Sequence, residues 1–383
     1  MRFLVISPTV AGNAVGRALS LAEVLRLIGP VTIAGADDGP LWSGIGDSRF
    51  SVRPFRSRAR LATLLDEESR GTDGPLAVVA VKPLRKSLGW AVDATARWRA
   101  RPLLVADIDD PDAELSRERL AARPLKHLKL TPLDDRHPWR SDRVLRAALP
   151  RVDVLSVSSW ALRDALPTFS GPVAHVPHAR PPAPYIPPTP SARLRLGFLG
   201  TPRAHKGLGV LLDILEARDD TELHLLEGTP LPRCARSAGV RSRIVFHPHS
   251  GPETLARAYR HVDVVVIPQD PDSAAAALQL PAKLVDALRF GRPVVATATP
   301  AIREIAQDAF LPVTRWSPLD EALGHLARLA DRATCRAIGR RGEAYFRENL
   351  SADVVARGLR RVLERVAPGP DAVDRRRAAG VGR

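Results

Sequence analysis

Cysteine, lysine, aromatic side chains and long hydrophobic runs are all scarce in this sequence. Two cysteines, Cys234 and Cys335, are too few for a disulfide framework or a four-cysteine metal site. We therefore expect a reducing, cytoplasmic compartment. No run approaches the roughly 20 consecutive apolar residues of a membrane-spanning helix. Residues 1–8 lack the charged and apolar regions of a signal peptide, so we expect a strand there.

Basic residues outnumber acidic ones, and almost all of them are arginine. Lys and Arg total 57 against 42 Asp and Glu, a net charge of +15, but only six residues are lysine. A nucleic-acid-binding protein usually concentrates its basic residues on one face, often beside aromatic rings. Here arginine is spread along the chain and aromatics make up 5%, so we expect no nucleic-acid partner. The charge favours anionic substrates or peripheral contact with an anionic membrane, although biased codon usage also explains the arginine.

Short apolar segments alternate with helical patterns in two halves of similar size. Helical spacing is clear at 14–28, and residues 336–366 are expected to be helical throughout. The alternation predicts an α/β protein with two doubly wound parallel sheets. The predicted strands are at 3–6, 31–34, 77–81, 103–106 and 152–157, then at 194–199, 223–226, 244–246, 262–267 and 293–296.

A proline-rich segment separates the two halves. Seven prolines between positions 177 and 190 exclude a helix or central strand and predict a stiff, extended linker. The predicted domains are 1–176, the linker 177–192, a second domain at 193–345, C-terminal helices at 346–367 and a disordered basic tail at 368–383.

A turn with glycines and two cations follows the first predicted strand of the second half. Residues 197–207 read GFLGTPRAHKG, and a helix is predicted to start near Gly207. Glycine lets the backbone approach an anion, and Arg203 and Lys206 bring positive charge to the helix start, which indicates a diphosphate-binding loop. The P-loop spacing is absent. An ordinary strand–helix turn with two solvated cations remains the alternative.

A second motif, PAKLVDALRFGRPVVAT, occupies residues 281–297. Pro281 suits the first turn of a helix and Gly291 suits its end. Lys283 and Asp286 are three residues apart and share a helix face. Lys283 is a candidate for binding a phosphate and Asp286 for binding a sugar hydroxyl. The alternative is a surface ion pair worth ~0–1 kcal/mol.

The order and spacing of the motifs resemble GT-B glycosyltransferases, most of all the retaining family 4, glycosyl transferases group 1. The resemblance covers nearly the whole chain. It implies two Rossmann-like domains facing across a cleft, with a C-terminal helix that crosses back to the N-terminal domain. The activity it implies is transfer of a sugar from a nucleotide-sugar donor to an acceptor hydroxyl with retention of configuration, as in hexosyltransferases. It rests on the segments 200–207, 262–268 and 281–295, supported by GNAVGR at 12–17, ADIDD at 106–110 and the helices at 345–366.

The resemblance also implies roles for individual residues. The catalytic candidates are Lys206 and Arg203, on the leaving diphosphate, and Asp109. No cofactor or metal is expected, because Lys and Arg neutralise the diphosphate and no cluster has metal-ligand spacing. The donor-binding candidates are Gly12, Gly16, Gly200, Thr201, Lys206, Gly207, Leu280, Pro281, Ala282, Lys283, Leu284 and Asp286.

Two positions depart from the family pattern. Leu278 stands where the first acid of the Glu-x7-Glu motif is expected, and Thr201 stands where an arginine commonly follows the glycine. Arg203 is a candidate to replace that arginine, and Asp270 or Asp272 to replace the acid. The departures leave two alternatives open: a non-catalytic binding subunit with the same fold, or a nucleotide-sugar epimerase.

The acceptor side is marked by fewer signals. Asp109 and Asp110 end a predicted strand, although Asp110-Pro111 is also a turn signal. His127 and His137 are candidates for orienting the acceptor, with surface histidines as the alternative. Lys82 and Lys86 are either solvated or contact an anionic acceptor or lipid. The acceptor class stays open among lipid-linked molecules, cell-envelope glycans and small natural products.

Overall fold

The chain folds into two compact units in this computed structural model. The boundary after Ala179 falls inside the predicted linker. Unit 1 comprises Met1–Ser158, Leu162–Ala179 and Val355–Arg383, and unit 2 comprises Ser159–Ala161 and Arg180–Val354. The structure describes residues 1–11, 14–42, 49–70, 74–96, 98, 101–121, 138–231, 237–248, 252–305 and 308–366.

Unit 1 is built on a seven-stranded sheet in which every described pairing is parallel. Its strands are β1 (Arg2–Ser7), β2 (Val31–Ala36), β3 (Val52–Phe55), β4 (Leu76–Val81), β5 (Leu103–Ile108), β6 (Val154–Val157) and β7 (Val173–His175). Its helices are α1 (Ala14–Leu25), α2 (Arg58–Ser69), α3 (Trp90–Thr95), α4 (Asp112–Ala121), α5 (Pro138–Ala148) and α6 (Trp160–Ala165), the last beginning in residues grouped with unit 2.

Unit 2 is built on a six-stranded parallel sheet. Its strands are β8 (Leu194–Phe198), β9 (Thr221–Leu226), β10 (Ile244–His247), β11 (Val264–Ile267), β12 (Val294–Thr297) and β13 (Leu311–Val313). The helices are α7 (Leu208–Ala217), α8 (Ala238–Arg241), α9 (Pro252–Tyr259), α10 (Ala274–Leu278), α11 (Ala282–Arg289), α12 (Pro300–Ile305), α13 (Asp320–Ala330), α14 (Arg332–Tyr345) and α15 (Ala352–Val366), whose residues from Val355 onward belong to unit 1.

The two sheets share one strand order. Unit 1 runs β3-β2-β1-β4-β5-β6-β7, and unit 2 runs β10-β9-β8-β11-β12-β13. Each order is that of a doubly wound Rossmann sheet, with a seventh strand added in unit 1. In such sheets ligands bind beyond the carboxyl ends of the strands where the winding reverses, between β1 and β4 in unit 1 and between β8 and β11 in unit 2. The predicted α/β class is confirmed.

Alternate residues of β11 show how the sheet of unit 2 is covered. Val265 and Ile267 belong to one buried apolar cluster, and Val264 and Val266 belong to another. Successive side chains of a strand point to opposite faces, so helices cover this sheet on both sides. A continuous apolar run is therefore the expected sequence for its central strands.

Most predicted elements are confirmed to within about two residues. Three short strands were missed, and the helical C-terminus is interrupted at Ser351, which forms a bridge with Arg180. The backbone N–H of Ala352 donates to the Arg180 carbonyl at 2.9 Å, so the chain leaves the helical path there. The predicted tail at 368–383 lies outside the described residues.

Candidate functional site

The loop after β8 is held tightly against the end of β11. Gly207 has a φ of +67°, a left-handed conformation, and a Cβ at this position would lie 1.9 Å from the Pro268 carbonyl oxygen. Glycine is therefore required for both its conformation and its size. Gly207 is also the N-cap of α7 and offers no side-chain cap, so the first N–H groups of α7 are left for other acceptors.

Lys283 reaches this loop from α11. Its side chain is buried, and Nζ lies 3.1 Å from the centroid of the Phe198 ring. A Cβ built on Gly200 would lie 3.5 Å from Lys283 Cε, so the structure brings Gly200 and Lys283 together. Nζ has no hydrogen-bond partner among the described residues. Burial lowers the pKa of Lys283 well below its usual value, and the charge of Lys206 lowers it further.

Two more buried polar groups near these strand ends lack partners within the described ranges. They are both amide atoms of Gln269 and Nη1 of Arg203. Gln269 follows the strand end that packs on Gly207, and its carbonyl accepts a hydrogen bond from Thr297 Oγ1 at 2.5 Å. Because buried polar groups are almost always paired, three unpaired groups in the loops after β8 and β11 and on α11 indicate a polar ligand site. Sequence reasoning missed Gln269, which no motif marked.

Asp286 is paired differently from expectation. Its Oδ1 accepts a hydrogen bond from Arg180 Nε at 2.9 Å, and Asp286 is buried. The alternative of a surface ion pair between Lys283 and Asp286 is wrong, because both are buried and Lys283 Nζ has no partner in the described chain. Arg180 lies 106 positions away in the sequence, so no local signal could have identified it.

The remaining predicted donor residues have different surroundings. Leu280 and Leu284 are fully buried in the core, so only their backbone is available to a ligand. Pro281 is buried and caps α11, and Ala282 is the first residue of that helix. Thr201 is exposed.

The candidates to replace the missing acid lie on the surface. Asp270 and Asp272 are exposed, and the Asp270 N–H donates to the His205 carbonyl at 2.9 Å. Asp270 therefore adjoins the short helical turn Ala204–Lys206. Leu278 ends α10 and is half-buried.

The N-terminal glycine motif of unit 1 is only partly described. Gly12, like the acceptor candidates His127 and His137, lies outside the described residues. The predicted donor-binding residue Gly16 lies within α1 and not in a loop, which agrees with the helical spacing at 14–28. Arg17, next to it, is buried and binds both carboxylate oxygens of Asp107, at 2.9 and 2.7 Å.

Lys82 is the centre of a buried charge cluster at the carboxyl ends of β4 and β5. Its Nζ lies 3.0 Å from Asp109, 2.9 Å from Asp110 and 3.2 Å from Asp112. Burial opposes its charge, but the three carboxylates outweigh burial and raise the pKa of Lys82 well above its usual value. Both expectations for Lys82, a solvated loop residue or an anion-binding one, are therefore wrong.

Asp109 is a buried carboxyl with a raised pKa. Burial raises the pKa of this carboxyl to about 7, while Lys82 opposes the rise and Asp110 adds to it. Among the described residues, the cluster holds two cations, Lys82 and Arg17, against the four carboxyls of Asp107, Asp109, Asp110 and Asp112. A buried excess of negative charge favours protonation of one carboxyl. The arrangement gives unit 1 a group that can hold or release a proton near pH 7.

The described part of the chain contains no group of three or more His, Cys, Asp and Glu residues placed to hold a metal ion. No helix in that part is long and apolar enough to cross a membrane.

A known family matches one part of the chain. Residues 193–351 match the family model for glycosyl transferases group 1. This match lies in the half of the chain that contains Gly200, Lys206, Lys283 and Asp286. No curated protein matches the sequence.

Solved structures resemble the whole chain. HepE from Anabaena, in complex with UDP-glucose, has a TM-score of 0.65 and 14% identity and covers 95% of this chain and 100% of its own. The pneumococcal O-GlcNAc transferase GtfA, in complex with UDP and GlcNAc, has a TM-score of 0.67 and 9% identity. Its match covers 96% of this chain and 99% of the GtfA chain. S. aureus TarM has a TM-score of 0.62 and 8% identity, and its match covers 94% of this chain and 98% of the TarM chain. At these identities the likeness shows the fold, and the predicted GT-B fold is confirmed.

Proposed function

We propose that the protein is a glycosyltransferase that binds a nucleotide-sugar donor in unit 2. The observation that carries the proposal is the buried amine of Lys283, which has no hydrogen-bond partner among the described residues. It lies beside Gly200, at the strand end where a Rossmann sheet binds phosphate. The family match over 193–351 supports it, as do the complexes of HepE with UDP-glucose and of GtfA with UDP and GlcNAc.

The chemistry follows from where charge develops. Breaking the bond between sugar and phosphate leaves negative charge on the diphosphate, so fixed cations and N–H dipoles there lower the barrier. Lys206, Arg203 and Lys283 supply cations, and the uncapped start of α7 supplies N–H groups. Gly200 and Gly207 let the backbone approach. Because these groups neutralise the diphosphate, we propose a reaction without a cofactor or metal.

We further propose retention of configuration, as in glycosyltransferase family 4. In that mechanism the acceptor hydroxyl attacks on the face that the diphosphate leaves, and a phosphate oxygen takes its proton. Asp286, held by Arg180, would bind a donor hydroxyl. Asp109 and Asp110 in unit 1 would orient the acceptor, a lipid-linked molecule, cell-envelope glycan or small natural product. We propose a cytoplasmic protein with peripheral contact to an anionic membrane, which its net charge of +15 supports.

One specific observation favours a second candidate, a non-catalytic binding subunit. Leu278 offers no acid at a position where the resembling family has one, and the nearby Asp270 and Asp272 are exposed. Binding of a nucleotide without turnover of any nucleotide sugar would support this candidate.

The first test is Lys206→Ala. If Lys206 holds the diphosphate, UDP affinity falls about tenfold or more, because a charge-assisted hydrogen bond contributes about 1.5–3 kcal/mol. Isothermal titration of UDP, GDP, ADP and dTDP measures affinity, and release of the nucleoside diphosphate from its sugar measures turnover. The matched control is Arg193→Ala, which removes a cation just before β8, at the opposite end of the same strand.

The outcomes separate the candidates. Transfer or donor hydrolysis that depends on Lys206 supports the glycosyltransferase, and an isomerised nucleotide sugar formed without acceptor would indicate an epimerase. If Lys206→Ala binds and turns over donor as the wild type does, the diphosphate assignment is wrong.

A further inference from the structure

Within the part of the chain that the structure describes, Lys283 is a buried lysine without a counter-ion. The residue as a whole is 6% exposed. No carboxylate among the described residues pairs with its amine. Nζ lies over the face of Phe198, 3.1 Å from the ring centroid. Lys82, equally buried, has three carboxylates around it.

The Phe198 ring alone does not stabilise a protonated Lys283 at this buried position. A desolvated cation–π contact recovers only part of the free energy that removing an ammonium from water costs, even after the protein relaxes. A neutral amine avoids that cost and can still direct an N–H at the ring. The balance therefore favours the uncharged form when no anion is present.

The ionisable groups around Lys283 do not change this balance. Asp286, one turn further along α11, is bound to Arg180. The charge of Lys206 acts on Lys283 and also disfavours a second cation. From α9, the Tyr259 hydroxyl donates to the carbonyl oxygen of Lys283 at 3.4 Å and not to Nζ. The other ionisable side chains of the facing loop are Arg203 and His205.

We propose that Lys283 is a neutral amine in the ligand-free protein and takes up one proton when the donor diphosphate binds beside Gly200. The inference rests on the proposed donor site and adds to it a coupling between binding and protonation. The proton comes from water or buffer, and the amine lone pair forms the new N–H bond. The resulting ammonium then forms an ion pair with a phosphate oxygen.

Such coupling gives binding a defined pH dependence. Between the pKa values of Lys283 in the free and bound states, the dissociation constant rises about tenfold per pH unit. Above pH 7.5 the terminal phosphate of UDP is already fully ionised, since its last pKa is about 6. A slope measured there belongs to the protein.

The sequence makes direct observation practical. With selective ¹³C labelling at Cε, a lysine spectrum of this protein has only six signals, and the variant Lys283→Met identifies the one of interest. We expect that signal to titrate far below the others without ligand and to move to the ordinary range with saturating UDP. The six lysines are Lys82, Lys86, Lys126, Lys129, Lys206 and Lys283.

Calorimetry supplies the second readout. UDP is titrated at several pH values between 7.5 and 10, in pairs of buffers with different ionisation enthalpies, and the difference gives the protons taken up. The wild type should take up as much as about one proton per UDP. Lys283→Met should bind more weakly and take up none. Lys283→Arg, which keeps its charge throughout this range, should bind without the pH slope.

The results divide cleanly. An ordinary titration of Lys283 in the free protein, or UDP binding with no proton uptake, overturns the inference and leaves the donor site standing. Uptake that persists in Lys283→Met assigns the proton to another group and also overturns it. If no nucleoside diphosphate binds the folded protein, the proposed function fails and the coupling fails with it.

Discussion

At the scale of the residue, two buried lysines show how surroundings decide a charge. Three carboxylates around Lys82 raise its pKa, whereas burial, and after it the charge of Lys206, lowers the pKa of Lys283. The first residue keeps its proton throughout the physiological range. Lys283 can gain a proton when an anion binds beside it, and the resulting ammonium then forms an ion pair with that anion.

Lys82→Met should destabilise the protein strongly at neutral pH. The substitution removes the cation that Asp109, Asp110 and Asp112 share, and breaking a buried ion pair costs about 3–5 kcal/mol. The loss should shrink as the pH falls and the carboxyls become protonated. Urea unfolding at pH 7.5 and 5.5 measures both effects.

The control for this prediction comes from the same segment of chain. Lys86 pairs with Asp38 at 3.4 Å, and its side chain is 35% exposed, so Lys86→Met should change the free energy of unfolding by only ~0–1 kcal/mol. Equal losses for the two variants would mean that the cluster around Lys82 contributes no special stability.

The residues of the candidate site differ in how far the sequence revealed them. Gly200, Lys206, Gly207 and Lys283 could be selected because turn chemistry and helix ends depend on neighbours in the chain. The partners of Lys82 and Asp286 could not, since they approach from distant segments through the folding of the sheets.

At the scale of the element, apolar run length decided what could be predicted. The central strands are buried on both faces and appear as continuous apolar runs. The missed strands β3, β7 and β13 have four, three and three residues, two of them with a proline. Such segments carry no periodicity that separates them from loops.

Gly207→Ala tests the contact between the loop after β8 and the end of β11. A methyl group would meet the Pro268 carbonyl at 1.9 Å, and the left-handed backbone costs an alanine about 1–2 kcal/mol. We expect a loss of more than about 2 kcal/mol in the free energy of unfolding and weaker UDP binding. Thermal unfolding with and without UDP measures both.

Gly209→Ala is the matched control, two residues further along in α7. A Cβ there meets nothing within 4 Å, and alanine is favoured over glycine in a helix by about 0.5–1 kcal/mol. This variant should be as stable as the wild type or slightly more so. A wild-type stability for Gly207→Ala would contradict the proposed packing of the loop.

At the scale of the whole molecule, the two Rossmann-type sheets were predictable because strands and helices alternate through both halves.

The net charge of +15 is also a property of the whole chain. It predicts that the protein sediments with vesicles containing anionic lipid, and that this binding weakens steeply with salt, because screening shortens the range of charge interactions.

Co-sedimentation at 50 and 500 mM salt tests that prediction, with neutral phosphatidylcholine vesicles as the control. Binding to both kinds of vesicle, or to neither, would remove the charge-based argument for membrane contact.

The grouping of Val355–Arg383 with the N-terminal part of the chain has a consequence for synthesis. Unit 1 takes residues from both sides of Arg180–Val354, and α15 supplies it with the buried Val355, Leu359 and Leu363. At roughly 5–20 residues per second, a ribosome needs about 9–35 s to make the intervening segment. During that interval unit 1 stays attached to the ribosome, and the surface that α15 covers in the folded protein is still exposed. A chaperone then has its longest opportunity to bind that surface.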